Sequence, residues 1–310
     1  MTQRYKVANH LMDITLDGDD LTNANILPSF TPFVSEDEGT LLLRLCAKRG
    51  QLTDFSTWEE IGQFDCGGAN HGVYRKEAEI TEGTNGTEAL HYDYGFCISL
   101  PDCQGGALSC CLIAKKQFTE CEAILLGDAS TWQFGLNNAI MLAYAFAAAD
   151  KQTLLVHASV IRNNGYGYLF TAPSGTGKST HTHLWYKYIP GSDLMNDDNP
   201  VVRIVDGVTT VFGSPWSGKT PCYRNISAPV GAITRLEQAP ENTIEPMATI
   251  PAFAALLPAV SSMKWDSYIY KGICSTIGEV IRLTPIYHLG CRPDEEAARV
   301  SYGMIARVKS

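Results

Sequence analysis

The sequence lacks any Cys-x-x-Cys pair, although it holds ten cysteines in 310 residues. The ligand spacing of a structural zinc motif is therefore missing. Cys110 and Cys111 are adjacent, and Met1–Asp20 carries no apolar signal core. These features read as reduced thiols in a cytoplasmic protein, most of them small core residues. A long hydrophobic run is also missing. The longest apolar stretch, around Ala139 to Ala149, is far too short to span a bilayer. Positive charge is scarce: 24 Lys and Arg stand against 33 Asp and Glu, a net charge of −9. Broad capture of nucleic acid or of an anionic membrane is excluded on that balance. There is no internal repeat and no low-complexity segment, so neither a solenoid nor a disordered chain is expected. What is present is 45% hydrophobic and 18% charged, a globular composition with length enough for a sizeable core.

Residues 1 to about 128 read as β-rich. Candidate strands are Tyr5–Ala8, Leu41–Ala47, Gly72–Ile80, Leu90–Tyr94, Ala107–Ala114 and Glu122–Leu126. The turn signals Asp17-Gly18, Cys66-Gly67-Gly68, Asn85-Gly86 and Gln104-Gly105-Gly106 separate them. Short strands with frequent turns fit an antiparallel meander or open barrel. No chemistry is written in this half, and its expected role is acceptor recognition. His71 and His91 stand alone and read as structural or exposed side chains.

Around Ser130 the period changes. Trp132, Leu136, Ala139, Ile140, Ala143, Phe146 and Ala147 recur every three to four residues, which predicts a core helix to about Ala149. The second region, residues 129–310, is placed from here. Thr153–Ile161 is an apolar, β-branched run interrupted by His157, and Tyr168–Thr171 is a short strand. A loop and a helix of about Lys178 to Tyr188 follow. Val201–Val205 and Val208–Phe212 flank Asp206-Gly207, a hairpin signal. Pro229–Leu236 and Pro285–Leu289 read as strands. Ala248–Val260, Lys264–Arg282 and Pro293–Tyr302 read as helices.

The segment Ala172-Pro173-Ser174-Gly175-Thr176-Gly177-Lys178-Ser179 is a near match to the phosphate-binding pattern GxxxxGK[ST], with Ala172 in place of the first glycine. Gly175 and Gly177 allow the backbone to bend until its N–H groups point inward at an anion. The following helix offers its N-terminus to phosphate. Lys178 is placed to neutralise phosphoryl oxygens, and Ser179 to ligate magnesium. The Asp197-Asp198 pair begins nineteen residues after Lys178. Adjacent carboxylates are costly without a cation nearby. A metal supplies one, leaving one carboxylate as ligand and the other to accept a hydroxyl proton. His157 is expected beside the phosphate site, because the short Arg162–Gly167 turn pairs its strand with the one feeding the loop. Lys219 and Arg224, in the long polar stretch Gly213–Asn225, are candidates to meet a transferring phosphoryl group. His181 and His183, two apart on one helix, face different ways and do not form a metal site.

The order His157-Ala158, then Ser174-Gly175-Thr176-Gly177-Lys178-Ser179-Thr180, then Asp197-Asp198 resembles the C-terminal domain of HPr kinase/phosphorylase. It also resembles the nucleotide site of ATP-dependent phosphoenolpyruvate carboxykinase, which shares that fold. The resemblance covers residues 150 to 240 well and reaches loosely to 305. It implies an α/β (α+β) chain: a β-rich N-terminal region, then a carboxykinase-like nucleotide-binding domain with a mixed sheet. It implies ATP (or ADP) and Mg2+, with Mn2+ as a substitute. Ser174 to Thr180 would hold nucleotide, Ser179, Asp197 and Asp198 metal, and His157 metal or phosphate. The glycine-rich signature that follows the catalytic region in authentic HPr kinases is absent. The N-terminal half does not read as theirs, and the chain resembles bacterial HPr-kinase-related proteins instead. HPr is therefore not carried over as substrate. The expected activity is phosphate transfer to a hydroxyl, on a small molecule or on a serine of a peptide or protein. The alternatives are a carboxykinase-type lyase and a nucleotide-binding sensor without turnover.

Overall fold

The computed structural model describes residues 1–66, 69–78, 92–101, 107–218 and 220–307. The expected turns at Cys66-Gly67-Gly68, Asn85-Gly86 and Gln104-Gly105-Gly106 lie wholly or partly outside these residues, as do the strand ends at Ile80 and Leu90 and the lone His91. Contacts divide the chain into two compact units, Met1–Ala147 and Ala148–Ser310. Each is a mixed α/β arrangement built on one large mixed sheet.

The first unit holds β1 (Thr2–Val7), β2 (His10–Asp17), β3 (Leu41–Arg49), β4 (Glu59–Cys66), β5 (Ala69–Glu77), β6 (Tyr92–Ser99), β7 (Leu108–Lys115) and β8 (Glu120–Leu125). Their order is β1-β2-β3-β8-β7-β6-β5-β4. The strands β4 to β8 form the expected antiparallel meander. The sheet as a whole is not a meander or a barrel, because β3 runs parallel to both β2 and β8. Parallel neighbours need crossovers. The first is the stretch carrying α1 (Asp19–Asn23) and a 3-10 turn at Pro28–Phe33, and the second is the meander itself. Helix α2 (Ala129–Ala147) belongs with this unit rather than with the second region. Its apolar stripe packs on the sheet, with Phe146 against Phe96 and Phe118 at ring distances of 6.3 and 5.1 Å. Gly135 permits the close approach, since a Cβ there would meet the Ser109 carbonyl oxygen at 2.9 Å.

The second unit holds β9 (Thr153–Leu155), β10 (Ala158–Asn163), β11 (Tyr166–Thr171), β12 (Asp193–Asp198), β13 (Val201–Val205), β14 (Val208–Phe212), β15 (Ser227–Gln238), β16 (Thr243–Pro246) and β17 (Ile286–Cys291). Its helices are α3 (Lys178–Tyr188), α4 (Thr249–Leu256), α5 (Ser267–Leu283) and α6 (Glu295–Ile305). The sheet order is β12-β10-β11-β15-β14-β13-β9, with β17 beside β15 and β16 beside β17. The run from Thr153 to Ile161 is two strands, not one. They pair with two successive strands in one register: Leu154 of β9 with Val202 of β13, and Ala158 and Ser159 of β10 with Asp198 and Asp197 of β12. The ladder breaks at His157 opposite Asn199-Pro200, where proline has no N–H to donate. The His157 N–H turns instead to the Ala259 carbonyl at 2.6 Å. The core under this sheet centres on Trp185 of α3, in contact with the rings of Tyr168, Phe170 and Tyr302.

Candidate functional site

Three strand ends and one helix N-terminus build the site. β10 and β11 form a tight hairpin across Asn164 and Gly165, both at positive φ. β11 then runs straight into the glycine loop, and α3 starts at Lys178 with Gly177 as its N-cap. Gly175 and Gly177 adopt φ of +79° and +117°, a region side chains rarely enter. A Cβ at Gly175 would meet nothing within 4 Å, so the space above the loop is open. The first intrahelical bond runs from the His181 N–H to the Gly177 carbonyl at 2.9 Å. The preceding amides of the first turn are therefore free of helical partners and carry the positive end of the helix dipole. Thr180 and Ser174 lie exposed on this surface, and the Thr176 carbonyl accepts from Gln238 Nε2 at 3.2 Å.

Lys178 is buried, and its Nζ donates to the Ala172 carbonyl at 3.1 Å, closing the loop on itself. Burial pushes its pKa down. The carboxylates of Asp198 and Asp197 work against that shift, so both lie within its electrostatic reach.

The Asp pair does not sit in a turn, the alternative that its Asp-Asp-Asn composition allows. It ends strand β12. A register shift between Val160 and Ile161 leaves Met195 as an extra residue on β12. That bulge returns Leu194 and Asp197 to the same face, toward α3. Asp197 is 4% exposed and its Oδ1 accepts from Ser179 Oγ at 2.8 Å. Beside it, Ser159 and Thr182 share a hydroxyl hydrogen bond of 2.9 Å, joining β10 to α3. Asp198 is half-buried and holds φ at +127°, unusual for a residue with a side chain. Its Oδ1 lies 3.2 Å from His157 Nε2, and its Oδ2 accepts from Asn199 Nδ2 at 3.0 Å. Gly218 lets the following loop close on this residue, because a Cβ there would come within 3.1 Å of the Asp198 Cβ. The structure thus brings His157, Lys178, Ser179, Asp197 and Asp198 to one end of the sheet.

Arg224 is placed elsewhere. Its guanidinium lies 2.7 Å from Asp193 Oδ2 and also donates to the Leu194 carbonyl. Arg162 completes the cluster with two 3.0 Å bonds to the same carboxylate. Asp193 stands at the opposite end of β12 from Asp197, roughly 10 Å along the strand. Lys219 lies outside the described residues.

Several residues at the site were not singled out by pattern. Buried Asn196 donates to Ser214 Oγ and to the Trp216 carbonyl, both at 3.2 Å, which pins the loop after β14 to β12. Ser159 and Thr182 carry no local signal, since their role arises from strand–helix packing. Asn199 sat in plain view beside the Asp pair. A cleft of about 340 Å³ opens between α3 and β12, lined by Ser179, Thr182, His183, Tyr186, Leu194, Asp197 and Thr220. Among the described residues, no group of three or more His, Cys, Asp or Glu side chains is placed to hold a metal. None of the helices among these residues is long and apolar enough to cross a membrane.

No known family profile matches the chain, and no curated protein matches it in sequence. Among solved structures it is similar to the Hpr(Ser) kinase/phosphatase from Coxiella burnetii, at 10% identity and a TM-score of 0.30. That match covers 49% of this chain and 93% of the other. A superposition of that quality carries no argument, and the functional reading rests on the site itself.

Proposed function

We propose that this chain is an ATP- and magnesium-dependent phosphotransferase that delivers phosphate to a hydroxyl. The observation that carries the reading is the 2.8 Å bond between Ser179 and Asp197 at the mouth of the glycine loop. A hydroxyl at a helix N-terminus, shared with a buried carboxylate, is the pair a magnesium ion engages when phosphate oxygens complete its shell. Magnesium usually takes one or two carboxylates plus phosphates rather than an all-protein cage, which suits a site with so few protein ligands.

The loop amides and Lys178 hold the phosphate chain, with Gly175 and Gly177 leaving room for it. Ser179 and Asp197 stand on the metal side. When bound, the metal neutralises charge on the phosphoryl oxygens. Asp198 and His157 stand on the proton side: the half-buried carboxylate accepts the proton of the attacking hydroxyl, and the imidazole holds that carboxylate in place. The positive φ of Asp198 fits a residue held in an uncommon conformation for its task. The cleft beside Ser179 and Asp197 gives a small acceptor, or one side chain of a larger one, a path to the pair. The first unit is then available for acceptor recognition.

The test is to incubate the chain with γ-labelled ATP and magnesium together with the small-molecule and protein fractions of a heat-inactivated cell extract, and separately with oxaloacetate, then separate labelled products. Label on an alcohol or a seryl hydroxyl, lost in Lys178→Ala, supports the reading. Absence of transfer, or transfer only to oxaloacetate with release of carbon dioxide, overturns it.

A further inference from the structure

The first unit carries a thiol pair with no part in the chemistry above. Cys97 on β6 and Cys111 on β7 are direct partners in an antiparallel register. Their sulfurs lie 4.0 Å apart. Directly opposed residues in such a pair have Cα atoms about 4.5 or 5.5 Å apart, according to their hydrogen-bonding position. Either value falls inside the span of about 4.4–6.8 Å that a disulfide accepts. Side-chain rotation can therefore bring the sulfurs together with the strands in place.

The surroundings separate this pair from the neighbouring thiol. Strand alternation turns Cys110 to the α2 side, where its Cβ lies 2.8 Å from the position a Cβ on Gly135 would take. Cys111 faces the other side and packs with Cys97, Phe55 and Ile124, flanked by Trp58 and Tyr74. Hydrogen bonds from Cys97 and from the Thr53 backbone both draw the Cys111 thiol pKa down against its burial. The same contact with Cys111, together with burial, pushes the Cys97 thiol up. The shared contact couples the two thiols, so that one sulfur of the pair carries the thiolate while the other keeps the proton.

We propose that Cys97 and Cys111 form an oxidant-reactive dithiol that a small peroxide closes to a cross-strand disulfide. The thiolate of the pair attacks one peroxide oxygen, the O–O bond breaks, and hydroxide leaves, giving a sulfenic acid on that sulfur. The second sulfur then attacks the first. The S–S bond forms, the S–O bond breaks, and the proton of the second thiol leaves with the hydroxyl as water. In sum the two thiols lose two electrons and two protons, and the peroxide is reduced to water. Cys111 is fully buried and Cys97 is 9% exposed, so a compact oxidant is required. This proposal does not rest on the phosphotransferase reading.

The experiment exposes the folded full-length chain to hydrogen peroxide, blocks remaining thiols with an alkylating reagent, and reads intact mass and non-reduced peptides. The expected product is lighter than the fully blocked thiol form by two alkyl groups. It contains a Cys97–Cys111 cross-linked peptide that dithiothreitol opens. Cys97→Ser and Cys111→Ser each remove the cross-link, while Cys110→Ser retains it. If a serine variant does not fold, the peptide map of the wild-type chain decides alone. A link that instead joins Cys66 or Cys103, or oxygen addition to other cysteines while Cys97 and Cys111 stay alkylatable, overturns the proposal.

Discussion

At the residue scale, five side chains carry the proposed chemistry, and Lys178, Asp197 and Asp198 have separable signatures. Lys178→Ala is expected to abolish transfer and weaken nucleotide binding while leaving the circular dichroism spectrum unchanged. Wild-type turnover in that variant would remove the loop from the mechanism. Asp198→Asn is expected to lower kcat by about 10²–10⁴-fold with little change in magnesium requirement. Asp197→Asn should instead raise the magnesium needed for half-maximal rate. A magnesium titration of both separates the roles, and identical behaviour would refute the division. His181 makes a different kind of prediction. Its Nε2 meets Ser301 Oγ at 3.1 Å, and that oxygen also accepts from Trp185 Nε1 at 2.8 Å. The serine proton goes to the Ala297 carbonyl at 2.9 Å, so the imidazole donates from Nε2. Burial pushes its pKa down to about 4 from 6.5. The unfolded chain therefore takes up this proton first as pH falls. Stability from this group is whole above about pH 6.5 and is lost on the way down to about pH 4, roughly 3 kcal/mol in all. Urea midpoints at intervals between pH 7 and 4.5 should fall less steeply in His181→Gln. Equal slopes in the two proteins would reject the buried neutral imidazole.

At the scale of elements, helix starts decide both function and stability, and by different means. Gly177 caps α3 at a φ of +117°. Gly177→Ala places a side chain in a strained conformation at a cost of about 1–3 kcal/mol and tilts the loop amides. Nucleotide affinity and the unfolding midpoint should fall together. Asp266 caps α5 by accepting from the Tyr268 and Ile269 N–H groups, both at 2.9 Å. Asp266→Ala should cost about 1 kcal/mol of stability and leave nucleotide affinity untouched. Calorimetry and a nucleotide titration on both variants check the contrast. Strand pairing explains which elements were legible. The hairpin at Asp206-Gly207 announced itself through turn residues of a familiar type. The β1–β2 hairpin did not, because it turns at Ala8 and Asn9, at φ of 48° and 63°, without a glycine. The break at His157 was invisible locally, since the residues facing it, Asn199 and Pro200, lie between two strands that come much later in the chain.

At the scale of the whole molecule, magnesium and nucleotide should stabilise the chain by linkage, by about 2.7 kcal/mol at a hundredfold excess over Kd. Hydrogen exchange should slow most at residues 172–180 and 193–199. Protection confined to the first unit would contradict the site. The sequence by itself determined the glycine loop, the helix after it and the carboxylate pair. Each depends on residue types at short spacing: glycines that tolerate positive φ, an N-terminus that follows them, and charge that must be offset. Tertiary structure alone decided that Asp197 meets Ser179, that Asp198 meets His157, and that Arg224 goes instead to Asp193. Those outcomes follow from the register of β12 against β10 and from its bulge at Met195. Register is set by which long-range partner buries which face, and no local pattern in either strand encodes it. The placement of α2 followed the same logic. Its apolar stripe was plain in the sequence, but the sheet it covers was chosen by the fit of Gly135 against β7.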